Sequence, residues 1–253
     1  MPHPDEHQSQ PLHTAAADAG AVEDVSLPLR ACGSLSETRT AIHGLQGIDW
    51  LVVALEIAGS PISKHGAGLW ADYAAGVIRP RLLATRSSHQ ALQSVWRFLP
   101  ELPARWRFPA GFATPVLHSL ARRMGLDVVF TAAGGQVGLG IEDLDADYVL
   151  TPEDGCVQEA TLLPLRPKAV VARLLPAYAV SAVSTADKLR VARVAMWLNP
   201  GGSETTLRLA TALLGAGQPA EAYDLIQPLL GGSDSRAAAT IRDRAEADLA
   251  RWN

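Results

Sequence analysis

Thr114-Pro-Val-Leu-His-Ser-Leu-Ala-Arg-Arg-Met-Gly125, running straight into Leu126-Asp-Val-Val-Phe130, is the stretch on which the fold turns. Thr114 is suited to cap a helix, and Pro115 fits a first turn because its missing N–H needs no partner there. Arg122 and Arg123 complement the negative end of the helix dipole, and Gly125 tolerates a left-handed exit. The spacing predicts a helix that closes at Gly125, and the β-branched and aromatic run behind it opens a strand. Three more short runs follow, at residues 136–141, 148–150 and 157–163, separated by turn-forming Gly, Asp and Pro. They predict a small antiparallel sheet packed on helices, an α+β arrangement.

The chain on both sides of this region reads as helix. Trp50, Leu51, Val53, Ala54, Ile57 and Ala58 recur at spacings of three and four. A second helix is expected over residues 69–78, stopping before Pro80. Ser87 and Gln90 form a capping box for a third, which carries Leu92, Val95, Trp96 and Leu99. Beyond the sheet, helices are expected over 168–179, 185–198, 204–214, 219–230 and 236–252. Leu207-Arg-Leu-Ala-Thr-Ala-Leu-Leu-Gly-Ala-Gly217 with Glu221-Ala222-Tyr223 and Ile226 resembles a tetratricopeptide hairpin, and Asn199-Pro200 closes the helix before it. One hairpin and a part of another cannot bury each other's faces as a free solenoid, so these helices are expected to dock on the core.

The 253 residues divide on this reading into a disordered tail (1–36), an α+β core (37–165) and a helical region (166–253). A composition of 48% hydrophobic and 19% charged residues is that of a globular chain with a buried core. The formal net charge of −4 and the scattered Lys and Arg argue against nucleic acid. The two cysteines, Cys32 and Cys156, make no disulfide framework. No basic-then-apolar start and no long apolar run is found, so a cytoplasmic protein without a membrane partner is expected.

In order and texture, residues 45–230 resemble the bacterial SirB-type family, transglutaminase-like proteins with a tetratricopeptide C-terminus. Three stretches carry the resemblance: Asp49-Trp-Leu-Val-Val-Ala-Leu-Glu-Ile-Ala58; Phe108-Pro-Ala-Gly-Phe-Ala-Thr114 leading to Leu120-Ala-Arg-Arg-Met-Gly-Leu126; and Arg166-Pro-Lys-Ala-Val-Val-Ala-Arg-Leu-Leu175. The resemblance implies a mostly helical transglutaminase-like core. In the wider fold a Cys nucleophile at a helix start works with a His base and an Asp or Asn that orients it. This chain departs at all three positions. It has no Cys at the helix start, where Thr114 stands; Gln136 occupies the His position; and Thr151 occupies the Asp position. A Gln amide does not work as a general base, and a Thr without a base stays an unactivated hydroxyl.

The other chemistry-bearing residues read plainly. Cys156 follows Glu153-Asp154-Gly155, and carboxylates raise a thiol pKa, so it is a loop or edge-strand thiol. Glu142, Asp143, Asp145 and Asp147 lack the spacing of a calcium loop and read as a solvated hairpin, and no metal or cofactor is expected. Gly134-Gly135 opens a strand, not a phosphate-binding helix. The tail's His3, His7 and His13 have no fixed geometry, and His43, His65 and His89 have no partner recognisable from spacing. Trp96, Phe98, Trp106, Phe108 and Phe112 concentrate aromatics before the firm helix. Of these, Trp96, Trp106, Phe108 and Phe112 are with His118 the candidate binding residues. The function expected is a non-catalytic scaffold that binds a protein or peptide, in the vacated cleft or on the concave face of the C-terminal helices, with room for a small-molecule ligand. The alternatives are an enzyme with altered acyl-transfer, hydrolytic or biosynthetic chemistry, and a purely helical adaptor with no sheet between residues 127 and 163.

Overall fold

The computed structural model describes residues 35–44, 47–60, 63–101, 112–152 and 155–251. The expectations placed on the tail, on Trp106, Phe108 and Cys32 lie outside these residues. The first helices are α1 (Ser36–Ile42), α2 (Trp50–Ala58), α3 (Lys64–Leu82), α4 (Ser88–Phe98) and α5 (Ala113–Arg123). α2 is buried on nearly every side. Its one carboxylate, Glu56, accepts the backbone N–H of Thr38 and the Thr38 hydroxyl, each at 2.8 Å, and so holds the open N-terminus of α1.

Three helix expectations need correction. α3 begins at Lys64, where Ser63 accepts the Gly66 N–H, and it continues through Pro80 to Leu82. Pro80 stands in the last turn, so only its own bond to Gly76 is lost. Thr114 does not cap α5: Phe112 occupies the cap position without a side-chain bond, and Thr114 lies inside the first turn. Ser87 does cap α4, but Gln90 returns its side chain to the Arg86 N–H, one residue before the cap. α5 ends as its sequence demands, with Gly125 at φ +85°.

The sheet is a meander of β1 (Val128–Ala133), β2 (Gln136–Glu142), β3 (Asp147–Thr151) and β4 (Cys156–Glu159), all antiparallel and in spatial order 1-2-3-4. Its presence excludes the purely helical adaptor. The fourth strand is shorter than its run of residues suggests. After Glu159 the chain crosses the sheet and pairs with the free edge of β1, where Leu165 N–H donates to the Phe130 carbonyl at 2.8 Å. The crossing puts Leu162 directly on Gly140, where a Cβ would lie 2.5 Å from the leucine methyl. Gly140→Val is therefore expected to cost about 1–3 kcal/mol by overpacking, read as a shift of the urea midpoint. An unshifted midpoint would mean that Leu162 does not rest there.

The remaining helices are α6 (Pro167–Ser181), α7 (Thr185–Leu198), α8 (Ser203–Gly215), α9 (Pro219–Ile226) and α10 (Ser235–Ala250). A main core joins α1–α5 to the sheet and takes Val170, Val171, Leu174 and Tyr178 from α6 and Val194 from α7. A second core lies within α7–α10, with Ala210, Ala222, Ile226, Ala238 and Ala245 fully buried. Ala210 of α8 and Ala222 of α9 are among its small, fully buried residues. No helix among the described residues is long and apolar enough to cross a membrane.

Candidate peptide-binding groove

The groove is built by three consecutive helices whose facing residues are small. α6 starts on Pro167, which suits a first helical position. Ser184 and Asp187 form a full capping box at the start of α7, each side chain holding the other's backbone N–H. The Ser184 hydroxyl, which donates to Asp187 Oδ2 at 2.6 Å, comes first, and Arg190 next, in holding the Asp187 carboxyl below the usual carboxylate range. Gly201 turns the chain at φ +83° from α7 into α8.

Between these helices lies a cavity of about 670 Å³, within the size range of binding clefts. One wall is α6 (Ala172, Leu175, Pro176, Ala179), the floor is α7 (Lys188, Val191, Ala192, Ala195), and the far wall is α8 (Arg208, Thr211, Ala212, Gly215). Pro176 has no N–H, so the Ala172 carbonyl beside it has lost its helical donor on the groove wall. Val180, in the last turn of α6, and Val183, just past its end, are 90% and 84% exposed and neighbour the lining residues Ala179 and Ala182 in sequence.

A second cavity of about 490 Å³ adjoins the groove and shares Thr185 and Gly215 with it. It is lined by Leu35, Arg190, Arg193 and Gln218 among others. Arg190 is fixed there by Asp187 at 2.8 Å and by its position over the Gly59 backbone. The Gln218 Oε1 atom is buried without a hydrogen-bond partner among the described residues.

The residues singled out from sequence do not converge on one patch. Phe112 is 1% exposed and stands edge-on to Tyr178, with ring centroids 5.1 Å apart, so it is core and not a surface contact. Trp96 is half-buried; its indole N–H donates to the Pro152 carbonyl at 3.0 Å, and its ring lies against Gly155. His118 stacks on Phe130 at 4.3 Å and meets Trp50 edge-on at 6.5 Å. Burial and then the nearby Arg122 push its imidazole down to about 4, so it is neutral at ordinary pH.

Among the described residues, Thr114 and Gln136 are linked only through the residue next to Gln136. The Thr114 hydroxyl donates to the carbonyl of Val137 at 3.2 Å, next to Gln136, and Thr151 is one strand further on. Gln136 is exposed, with its carbonyl taking a bond from Arg173 at 3.3 Å. Cys156 is exposed and pairs in register with Thr151. None of these residues lines the groove or its neighbour.

No protein-family model, curated protein or solved structure matches the chain. Its chemistry is therefore read from its own geometry.

One cluster escaped the sequence reading. Ser87 Oγ lies 3.4 Å from His89 Nε2, and His89 Nδ1 lies 3.2 Å from Asp143 Oδ2. His89 also stacks on Tyr148 at 4.2 Å. The order Ser–His–Asp is that of a hydrolytic triad, but the local bonding is that of a helix cap. Ser87 Oγ accepts the Gln90 N–H, and Asp143 accepts the backbone N–H of His89 at 3.3 Å as well as its ring. The Leu144 N–H first, then His89, hold the Asp143 carboxyl below the usual range. Asp143 thus pins the β2–β3 turn to the positive end of α4. Sequence spacing gives no warning of this contact, because residues 89 and 143 meet only through packing. Ser87→Ala is expected to cost about 1 kcal/mol as a lost cap, measured by chemical unfolding, and to abolish no ester hydrolysis by the purified protein. A hydrolysis rate that vanishes in this variant would make the cluster a catalytic site.

Proposed function

We propose that this chain is a non-catalytic scaffold of transglutaminase-like and tetratricopeptide type that works in the cytoplasm and binds a protein or peptide partner in the α6–α8 groove. The observation that carries the reading is the groove itself, a concavity of about 670 Å³ lined mostly by small and apolar side chains of α6, α7 and α8. Among the described residues its lining includes no His, Cys, Asp or Glu; its polar side chains are Thr185, Lys188, Arg208 and Thr211, with no carboxylate or imidazole beside either hydroxyl in the lining to activate it. Small side chains in the lining let the backbone of an entering segment come close.

The transglutaminase-like part of the reading draws support from the contact of Thr114 with β2 beside Gln136, a helix start set against a strand with Thr151 on the next. With Thr, Gln and Thr there, no proton acceptor is available for acyl transfer. The test is a screen of the purified protein for acyl-transfer and amide or ester hydrolysis, alongside Thr114→Val and Gln136→Ala. The expected result is no turnover that either substitution removes. A turnover lost in either variant would replace the scaffold by an enzyme with altered chemistry.

A further inference from the structure

The chain's whole formal net charge of −4 resides in residues 1–34, where Asp5, Glu6, Asp18, Glu23 and Asp24 stand against Arg30 alone; the remainder balances. That segment joins the described chain at Leu35, which lines the smaller cavity, and this cavity shares Thr185 and Gly215 with the groove. The lining of the two cavities holds Arg190, Arg193, Lys188 and Arg208 and no carboxylate. Each arginine has one carboxylate alongside, Asp187, Glu221 and Glu204 respectively. Lys188 has no partner among the described residues. On the same path and among the described residues the buried Gln218 Oε1 lacks a donor, which a backbone N–H passing along it would supply.

We propose that residues 18–24 of this chain dock into the α6–α8 groove in cis, with Asp18, Glu23 and Asp24 against Lys188 and the flanking arginines, so that a partner must displace them. The inference rests on the reading of the groove as a peptide site and adds its regulation. Reach is ample: the eleven residues from Asp24 to Leu35 span up to about 36 Å when extended, whereas the groove floor from Thr185 to Ala195 is about 15 Å long. A tether of this length holds the segment at a local concentration on the order of millimolar, so a weak intrinsic affinity suffices. Ala19, Gly20 and Ala21 between the acidic residues are small, so the backbone there can come close to Ala192 and Ala195.

The test is zero-length carbodiimide cross-linking of the full chain, which joins a carboxylate only to an amine it touches. The chain has just three lysines, Lys64, Lys168 and Lys188, so two serve as internal references. Linkage of Lys188 to Asp18, Glu23 or Asp24 is expected within the monomer, about tenfold above either reference lysine, as tethering in place requires. It is expected to fall about tenfold in Ala179→Trp, which fills the groove from an exposed position and leaves Lys188 intact. Linkage spread evenly over the three lysines, linkage found only between isotopically distinct copies, or linkage indifferent to Ala179→Trp would overturn the proposal. Partner capture that depends on the groove while this linkage is absent removes the cis segment alone; partner capture indifferent to the groove removes the scaffold reading.

Discussion

Replacing Ala195 by Trp is expected to weaken binding of a captured partner by about 100-fold, or about 3 kcal/mol, with little change in folding stability. Ala195 lies on the α7 floor of the groove and is half-exposed, so an indole there projects into the cavity and not into either core. A segment that needs the floor loses its contact area and meets a steric block, and the loss falls mainly on the dissociation rate. Titration calorimetry of the partner against wild type and variant, with thermal melts of both, separates the two effects. Equal affinities would place the partner elsewhere. A collapsed melting temperature would show that Ala195 belongs to a core, and the exposed Ala179→Trp then carries the comparison.

The second large effect concerns acid stability. His118 is wedged between Phe130 and Trp50 with its imidazole pushed down to about 4, against about 6.5 in the unfolded chain. Below pH 6.5 the unfolded chain takes up a proton that the folded chain refuses, so stability falls as pH drops from 6.5 towards 4. The full loss is about 3 kcal/mol. His118→Phe preserves a ring against Phe130 and cannot titrate, so unfolding in urea should lose about that much less between pH 7 and pH 4.5 than in wild type. Asp143 and Asp187, whose carboxyls are held low, destabilise both proteins alike at still lower pH. An identical pH dependence in the two proteins would mean that His118 accepts its proton in the folded state.

These two sites differ in how far the sequence discloses them. The helix ending in Arg122-Arg123-Met124-Gly125 and the meander behind it are written in local terms: dipole-matched charges, a left-handed exit, and alternating strands between turn residues. The α+β class followed from that stretch. Pro80 misled because a proline one turn from a helix end loses a single bond, and spacing does not tell the end from the middle. Thr114 misled because a hydroxyl two residues past the true cap looks the same in sequence, and its bond to Val137 is tertiary. Phe112 had the right chemistry for a hot spot, but Tyr178, more than sixty positions away, encloses it.

The groove was legible only as a direction. Ala172, Ala179, Ala192, Ala195, Ala212 and Gly215 carry the signature of helices that approach closely, and the concave face of the C-terminal helices was a stated candidate. That their small side chains leave a gap open, instead of closing it, depends on how α6 and α8 lean on α7. The Ser87–His89–Asp143 contact was not legible at all, since its members come from a helix start and a strand turn. The exposed row Leu69, Tyr73 and Val77 on α3 is equally a product of packing: at a spacing of four it reads as a core face, yet it points to solvent.

That row supplies the reference for the most direct test of the account. A photoreactive benzoylphenylalanine placed at Thr211, on the groove wall, is compared in cells of the source with the same group at Tyr73, on α3. The scaffold reading predicts one defined protein or peptide joined from position 211 and absent from position 73. Equal products from both positions, or a product from position 73 alone, would contradict the assignment of the groove as the binding site.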